Sequence, residues 1–359
     1  MTEPRFIAKP DWYTSDAPQT LASTGPPLRW GVVATGGIAG TVTAELTLLE
    51  DAVLQAVSSR SQPKAADFAS RFGFTTHYYD DDGAPGYQRL VQDPEVDVVY
   101  IATPHAQHFT VAQAALEAGK HVLCEKAFTI NAREATELIR LAKDRGLFLM
   151  EAVWARFVPG MQRAFDIIAS GEIGPVQWVR ADLGFPAPDD PEARIWAPKD
   201  GGGALLDLTV YPLLWAWGAL GAPQSVSATG TLTELGVDSQ NAITLGYSSG
   251  AQAQLMSSLT ALGPRSAVVA GTNGFLQTMG TVNNPTALTV QTGWQDSRVE
   301  TFEPIGRGYT YQLREVTRCI QQGMTESPTM PLADSLAIMH LFDGIRAELG
   351  VVYPNDANR

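Results

Sequence analysis

Two side chains in this sequence could move a proton and hold charge at a carbonyl group. Lys126 lies in Glu125-Lys126-Ala127, and Tyr211 ends the segment Asp207-Leu208-Thr209-Val210-Tyr211. A hydride cannot leave an alcohol carbon unless the hydroxyl proton is removed and the growing carbonyl dipole is held by a nearby positive charge. A phenol and an ammonium group could do these two jobs, so Lys126 and Tyr211 are candidate catalytic residues.

A glycine-rich segment at positions 31–40, GVVATGGIAG, is the candidate cofactor site. It lies where a predicted strand (Trp30 to Ala34) meets a predicted helix (Ile38 to Leu49), which is the context of a dinucleotide fingerprint. Ala34 takes the first glycine position of G-x-G-x-x-G and Ala39 the third, where small residues are tolerated. An ordinary glycine-rich turn is the alternative, and the βαβ pattern that follows favours the nucleotide. The predicted cofactor contacts here are Thr35, Gly36, Gly37, Ile38 and Ala39.

The end of the second predicted strand indicates which dinucleotide would bind. An NAD enzyme usually places Asp or Glu on the ribose about twenty residues beyond the glycines. The sequence there reads Val57-Ser58-Ser59-Arg60-Ser61, without a carboxylate. Arg60 and Ser59 could instead bind a 2'-phosphate, although Arg60 could also simply begin a solvated loop. We therefore predict NADP as the cofactor, with NAD as an alternative.

The block from Tyr100 to His108 ends a predicted strand at the carboxyl edge of the sheet, where ligands bind in such folds. Thr103, His105 and His108 are expected to line the nicotinamide pocket. A structural His108 that caps the next helix is an alternative of similar weight. Two histidines three positions apart could also indicate a metal site, but the neighbouring sequence has no third ligand of the usual kind and no spacing typical of catalytic zinc. We expect no metal.

The elements that must position these residues change in kind along the chain. Short apolar strands alternate with amphipathic helices from Arg29 to Met150, which predicts a parallel sheet covered on both faces. Consecutive strand-like runs follow from Val176 to Gln291, which predicts an open, mostly antiparallel sheet. Two helical stretches close the chain. The predicted fold class is α/β, with an N-terminal doubly wound parallel sheet and a C-terminal α/β domain.

The pattern predicts three parts with boundaries at positions 27 and 151. Residues 1–27 would form an arm or tail, residues 28–151 a dinucleotide-binding domain, and residues 152–359 a substrate-binding and dimerisation domain. The C-terminal helices could pack back on the first domain. An open sheet needs its second face covered, so we expect a homodimer or higher homo-oligomer through the C-terminal sheet.

Composition excludes several classes of partner. The net charge of −13 argues against nucleic acid or an anionic membrane surface, so a small-molecule substrate is expected. Only Cys124 and Cys319 are present, far apart, which suggests neither disulfides nor a zinc cluster and favours a reducing compartment. No apolar run of about eighteen residues is found. We expect a cytoplasmic protein with no signal peptide and no membrane span.

An ordered set of motifs carries a family resemblance over about positions 28 to 355. The motifs are the glycine turn, the Thr-Pro-His-x-x-His block, Cys124-Glu125-Lys126, the segment from Glu151 to Phe157, and the segment from Gly201 to Asp207. The chain resembles the glucose-fructose oxidoreductase and inositol dehydrogenase (GFO/IDH/MocA) family. Within it, the Trp154 to Phe157 segment and Tyr211 are most similar to dimeric dihydrodiol dehydrogenases and NADP-dependent D-xylose dehydrogenases.

The resemblance implies a Rossmann domain, a C-terminal α/β domain and hydride transfer between NADP and a cyclic polyol, an aldopyranose or a trans-dihydrodiol. The family's lysine falls on Lys126, its tyrosine on Tyr211 and its preceding aspartate on Asp207. Four positions apart on one helix, Asp207 and Tyr211 would face the same way. Glu125 is expected beside the cofactor. The predicted substrate contacts are Lys126, Trp154, Arg156, Phe157, Asp207 and Tyr211, with Trp178 or Trp196 as a further aromatic wall.

Two positions leave alternatives open. Arg156 could orient Glu125 or the substrate, or equally form a structural salt bridge. Ala127 stands where the family has proline, often after a cis bond. Because a cis bond before a residue other than proline costs about 3 kcal/mol, a trans bond and a displaced Lys126 are expected. Ala127 is also the only support for an alternative function, an NADP-binding sensor without turnover. A third hypothesis for the function is a zinc-dependent alcohol dehydrogenase.

Overall fold

A computed structural model of the chain describes residues 7, 9–10, 17–81, 83–190 and 192–358. Much of the predicted N-terminal arm, residues 1–6, 8 and 11–16, therefore lies outside the described residues. The chain divides into two units. Of the described residues, the N-terminal unit comprises those within Pro10–Trp154 and Ile305–Met339, and the C-terminal unit those within Met1–Lys9, Ala155–Pro304 and His340–Arg359.

The described residues form strands and helices in the following order. The strands are β1 Leu28–Val33, β2 Ala52–Ser59, β3 Thr76–Tyr79, β4 Val98–Ile101, β5 His121–Glu125, β6 Leu149–Ala152, β7 Val176–Gly184, β8 Ser225–Leu232, β9 Asp238–Gly246, β10 Gln252–Ser258, β11 Ala267–Gly271, β12 Gly274–Thr281, β13 Asn284–Thr292 and β14 Asp296–Thr301. The helices are α1 Ala17–Leu21, α2 Gly37–Leu46, α3 Gln62–Phe72, α4 Gly86–Gln92, α5 His108–Glu117, α6 Ala132–Arg145, α7 Pro159–Ala169, α8 Ala204–Leu208, α9 Val210–Leu220, α10 Thr310–Gln321 and α11 Leu332–Leu349.

The sheet of the N-terminal unit has six strands in the order β3-β2-β1-β4-β5-β6, and all pairs are parallel. All four residues of β4 and of β6 are buried, because helices cover both faces of a parallel sheet. The strand order reverses between β1 and β4, and such a reversal opens a crevice at the carboxyl ends of the strands. The predicted doubly wound parallel sheet is confirmed.

Helix α10 packs within the N-terminal unit although it lies near the end of the chain. The carboxylate of Glu45, on α2, accepts hydrogen bonds from the Thr310 amide at 2.8 Å and the Thr310 hydroxyl at 3.0 Å. Arg314 and Asp51 form a buried ion pair at 2.9 Å. The dinucleotide-binding half of the chain is therefore completed by residues from its other end.

The sheet of the C-terminal unit has eight strands in the order β14-β13-β12-β11-β7-β10-β9-β8. Only the β7–β10 pair is parallel, so the predicted mostly antiparallel sheet is confirmed. Helices α8 and α9 pack against β7, β9, β10 and β11 on one face. Trp178 on β7 and Met256 on β10 point away from that face and are exposed.

The segment that carries Asp207 and Tyr211 is not one helix. Helix α8 ends at Leu208, α9 begins at Val210, and the helical segments on either side differ in direction by 46°. The expectation that the two residues lie on one helix is therefore wrong. Pro212, in the first turn of α9, explains the break, because its ring excludes a continuous helix through Leu208.

Across the described ranges, the structure has no single helix long and apolar enough to cross a membrane. The bent pair Pro198–Leu208 and Val210–Leu220 meets the same length and composition test only when its two segments are taken together. Every residue of α9 is buried within the fold.

Candidate active site

The turn between β1 and α2 provides open space in front of a helix N-terminus. Gly36 is the N-cap of α2, and a Cβ atom built on Gly36 or Gly37 would meet no described atom within 4 Å. Ala34, just before the turn, has a φ of +91°, a conformation that glycine adopts more easily. Free backbone N–H groups and the helix dipole make such a turn suited to a pyrophosphate. The residues present therefore fit a dinucleotide.

The end of β2 lies beside this turn, as predicted. The Thr35 hydroxyl donates a hydrogen bond of 3.1 Å to the Ser59 hydroxyl, so the structure brings the two predicted cofactor residues together. Arg60 follows at the end of the strand and is exposed. A hydroxyl pair with an adjacent guanidinium suits a phosphate monoester.

His108 connects the end of β4 to the segment after β5. The ring is fully buried, with Nδ1 2.8 Å from the Ala127 carbonyl oxygen and Nε2 3.0 Å from that of Thr103. Burial lowers the pKa of His108 to about 4. The N-cap of α5 is Gln107, so the reading of His108 as a helix cap is wrong. His105 packs edge-on against His108, with ring centroids 5.6 Å apart.

The Lys126–Ala127 peptide bond is cis, so the expected trans bond is wrong. Two side chains, those of His108 and Glu151, hold the backbone of the segment that follows Lys126. The Ala127 carbonyl contacts His108, and the Phe128 amide donates to Glu151 Oε1 at 3.0 Å. Lys126 itself is half-buried at the carboxyl end of β5, beside the predicted nicotinamide pocket.

Glu125 is a buried carboxyl group next to Lys126. Burial raises the pKa of Glu125 to about 7, while the hydrogen bond from Tyr100 and the charge of Lys126 act in the opposite direction. The Tyr100 hydroxyl donates to Glu125 Oε1 at 2.7 Å. Near pH 7 this carboxyl group can therefore exchange a proton beside a candidate catalytic amine.

Trp154, which is predicted to contact substrate, stacks on Tyr309, which was not among the predicted site residues. The rings of Trp154 and Tyr309 have centroids 4.4 Å apart and lie within 31° of parallel. Tyr309 immediately precedes α10, so its approach to Trp154 depends on a long-range packing that no local pattern signals. The pair forms an aromatic surface within the N-terminal unit.

In the C-terminal unit, the three glycines at 201–203 set the start of α8. Gly203 has a φ of +111°, and a Cβ atom there would lie 2.5 Å from Asp238 Oδ1. The other carboxylate oxygen of Asp238 accepts a hydrogen bond from the Leu205 amide at 2.9 Å. Burial raises the pKa of Asp238 to about 6. The glycine at 203 is thus required by the close approach of a buried carboxylate that holds the first turn of α8.

Asp207 and Tyr211 lie on either side of the bend and are 8% and 7% exposed. Arg194, in the 3₁₀ turn Arg194–Trp196 before α8, places Nη2 3.6 Å from Asp207 Oδ1. This arginine was missed, because a single exposed charge carries no sequence signal. A carboxylate, a guanidinium and a phenol therefore lie along one short stretch of the C-terminal unit.

The remaining predicted substrate residues differ in their surroundings. Arg156 and Phe157 are buried at the end of the 3₁₀ turn Trp154–Phe157. Trp178 is exposed, and on β7 it points to the sheet face opposite α9, because alternate strand residues face opposite sides. Trp178 therefore cannot be the aromatic wall beside Tyr211. The indole N–H of Trp196 donates to the Pro188 carbonyl at 2.9 Å.

Within the part of the chain that the structure describes, no three His, Cys, Asp or Glu side chains are grouped so that they could hold a metal ion. In this structure the two histidines of the Thr-Pro-His-x-x-His block, His105 and His108, pack against each other, and His108 contacts backbone carbonyls.

A six-stranded sheet of this order, with an open glycine turn at its reversal point, is the nucleotide-binding architecture of NAD(P)-dependent dehydrogenases and reductases. The chain belongs to the GFO/IDH/MocA family. Residues 28–153 match the oxidoreductase family with an NAD-binding Rossmann fold, and residues 161–277 match the GFO/IDH/MocA C-terminal domain. The predicted family is confirmed.

Individual relatives match nearly the whole chain. Trans-1,2-dihydrobenzene-1,2-diol dehydrogenase of Mus musculus is 35% identical over 342 residues, covering 92% of this chain and 99% of that protein. KijD10, a 3-ketoreductase from Actinomadura kijaniata solved with NADP and TDP-benzene, has a TM-score of 0.79 at 26% identity, covering 91% of this chain and 99% of that chain. Aldose-aldose oxidoreductase from Caulobacter crescentus shares the fold, with a TM-score of 0.80 at 24% identity over 90% of this chain and 97% of that chain.

These relatives are named as dehydrogenases or reductases, and the chain is accordingly an enzyme of the NAD(P)-dependent dehydrogenase and reductase class. The sensor without turnover, considered above because of Ala127, finds no support in them.

Proposed function

We propose that the protein transfers a hydride between NADP and a ring CH–OH group of a cyclic vicinal diol. A trans-dihydrodiol is the first candidate substrate, and a sugar ring such as an aldopyranose or an inositol is the second. The observation that carries the proposal is the open turn at Gly36 and Gly37 combined with Lys126 at the carboxyl end of β5 in the same unit. The match to a trans-dihydrodiol dehydrogenase over 92% of this chain is the reason why a trans-dihydrodiol is ranked before a sugar ring.

The cofactor would be held by residues at the carboxyl ends of the strands. Thr35, the two glycines and the first turn of α2 would bind the pyrophosphate, and Ser59 with Arg60 the 2'-phosphate. His105, Glu125 and Lys126 would line the nicotinamide end, while His108 acts from behind by holding the segment around Ala127. A nicotinamide dinucleotide, when bound, supplies or accepts the hydride.

The proposed proton chemistry belongs to Tyr211. In oxidation its phenol oxygen takes the proton of the substrate hydroxyl, and in reduction the phenol returns a proton to the carbonyl oxygen. Lys126 stabilises the negative charge that develops on that oxygen. Asp207, paired with Arg194 in the same unit as Tyr211, would bind a neighbouring hydroxyl of the substrate.

A substrate panel tests this function. The purified protein is mixed with NADP or NAD, and nicotinamide reduction is followed by absorbance with a trans-dihydrodiol, D-xylose, D-glucose and inositols. We expect turnover with NADP on one class of cyclic diol. Turnover restricted to acyclic alcohols, or dependent on added zinc and abolished by a chelator, would contradict the proposal and favour the zinc alcohol dehydrogenase reading.

Replacing Arg60 with alanine is expected to raise the KM for NADP by about 10- to 100-fold, because one charge-assisted hydrogen bond to phosphate is lost. The KM for NAD should not change, since NAD lacks the 2'-phosphate. Steady-state kinetics with both nucleotides provide the measurement. Arg133→Ala, an exposed arginine of the same unit, serves as the control. Equal effects on NADP and NAD would show that Arg60 does not read the phosphate.

We further propose a homodimer formed by the exposed face of the C-terminal sheet. A cleft of about 560 Å³ lies on this face, lined by Arg180, Asp182 and Met256 among others. Trp178 and Met256 expose large apolar side chains on the central strands β7 and β10, where an uncovered apolar surface is unusual in a monomer. Arg180 and Asp182 are two residues apart on β7, so a twofold axis between them would oppose unlike charges from two copies of the chain.

Met256→Lys is expected to convert this dimer to a monomer, because an ammonium group would be buried in the apolar contact without a partner. Sedimentation velocity measures the change. Val352→Lys, another exposed apolar residue, is the matched control and should leave the dimer intact. A wild-type protein that sediments as a monomer at micromolar concentration would refute the dimer.

The two cysteines bear on the proposed cytoplasmic location. Cys124 and Cys319 are both buried, and they lie far apart in the sequence. Reduced thiols persist in the cytoplasm, whereas secreted proteins tend to oxidise their cysteines to disulfides. The thiols therefore support this location.

A further inference from the structure

The bend between α8 and α9 is tied to the sheet through the side chain of Thr209. The Thr209 hydroxyl donates a hydrogen bond of 2.8 Å to the Ser257 hydroxyl on β10. The Asn241 side-chain amide, on β9, donates to the Thr209 hydroxyl at 3.2 Å and to Asp238 Oδ2 at 2.9 Å. All four side chains are buried. We call Thr209, Ser257, Asn241 and Asp238 the bend cluster.

The bend cluster holds the chain at two points. Asp238 accepts the Leu205 amide in the first turn of α8, and Asn241 and Ser257 hold Thr209 at the end of the same short helix. A buried polar group that loses its hydrogen-bond partner destabilises the fold, so these hydrogen bonds hold the segment in this position. Both ends of α8 are thereby fixed to β9 and β10.

The bend cluster fixes the direction in which α9 continues, which Pro212 alone does not determine. A proline in the first turn of α9 explains why the helix cannot run continuously from α8, but it does not fix the direction in which the chain resumes. Thr209 is the single residue between the two helices, and Tyr211 follows two positions later. The hydrogen bonds of Thr209 therefore set the direction from which the phenol ring projects.

We infer that Thr209 is a positioning residue that acts through Tyr211, with its hydroxyl held by Asn241 and Ser257. The inference rests on the proposed role of Tyr211 in proton transfer. Thr209 would not touch the substrate. It would keep the phenol oxygen in line with the substrate oxygen, where a displacement of about 1 Å can cost roughly a hundredfold in rate.

The test compares Thr209→Val, which keeps the volume and removes the hydroxyl, with Thr209→Ser, which keeps the hydroxyl. Thr209→Val is expected to lower kcat by about 10- to 100-fold and to leave the KM for NADP within about twofold of wild type. Thr209→Ser should restore most of the rate. Amide hydrogen exchange at residues 210–214 should accelerate in the valine variant and not in the serine variant.

A matched control separates positioning from general destabilisation. Thr278 is also buried in the C-terminal unit, where its hydroxyl accepts the Ala267 amide at 2.8 Å. Thr278→Val should lower the melting temperature about as much as Thr209→Val, while kcat and exchange at residues 210–214 stay at the wild-type level. An equal loss of kcat in the two valine variants would overturn the inference.

Tyr211→Phe, measured in parallel, distinguishes the inference from the function on which it rests. If Tyr211→Phe retains the full rate, the proposed role of Tyr211 fails. If Tyr211→Phe is inactive and Thr209→Val is fully active, only the inference fails. Should Thr209→Val not fold, Ser257→Ala decides, because it removes one partner of the hydroxyl: a several-fold lower kcat supports the inference and an unchanged kcat overturns it.

Discussion

Replacing Tyr211 with phenylalanine is expected to lower kcat by roughly 10²- to 10⁴-fold in both directions, which is the usual contribution of a general acid or base. The change removes a single oxygen from a ring that is 7% exposed, so the fold should be preserved. The KM for NADP should stay near the wild-type value, since the proposed cofactor contacts lie in the N-terminal unit. Initial rates of oxidation and reduction, with calorimetric titration of NADP, measure both effects.

The chain contains a matched control for this substitution. Tyr247 is also 7% exposed and also belongs to the C-terminal unit. It follows β9, far along the chain from the bend, and Tyr247→Phe should retain the wild-type kcat. If Tyr211→Phe kept a rate within about threefold of wild type, another group would have to move the proton. The buried Glu125 would then be the next residue to replace.

Replacing Arg314 with methionine is expected to lower the free energy of unfolding by about 3–5 kcal/mol. This is the usual cost of removing one member of a buried ion pair, because the other charge stays buried without its partner. Arg314 is 1% exposed and its partner Asp51 is fully buried. The guanidinium also donates to the carbonyls of Thr20 and Leu21 and to the Thr24 hydroxyl. Burial acts to raise the pKa of Asp51, but its hydrogen bonds outweigh burial and lower the pKa, so the carboxylate stays charged at neutral pH.

Urea denaturation followed by circular dichroism measures this loss. Arg140→Met is the matched control, because Arg140 pairs with Asp144 in an exposed i,i+4 ion pair and should change stability by less than about 0.5 kcal/mol. Adding Asp51→Asn to Arg314→Met should recover part of the loss, since the buried charge is gone. An unchanged urea midpoint for Arg314→Met alone would show that the pair does not stabilise the fold.

Much of the N-terminal sheet could be predicted because its signals are local. Helix α6, Ala132–Arg145, shows this most clearly, because both of its ends carry sequence signals. The Asn131 side chain caps it by accepting the Glu134 amide, and Gly146 ends it with a positive φ. Alternation of short apolar strands with such helices is sufficient to predict a parallel sheet.

The elements that were missed are short or depend on distant partners. Strand β3 has four residues with little apolar periodicity, and α4 has seven residues. The bend at Thr209 had a signal that was overlooked, since Pro212 lies four positions after Leu208. Arg194 and Tyr309 could not be found, because their roles depend on which segments pack together and not on neighbouring residues.

The packing of α10 against the start of the chain also has a consequence for synthesis. Asp51 and Arg314 are 263 residues apart, and a ribosome that adds about 5–20 residues per second needs roughly 10–50 s to make the intervening chain. During that interval Glu45 and Asp51 have none of their partners from α10. The nucleotide-binding sheet can form while translation proceeds, but its unit can be completed only after α10 has been made.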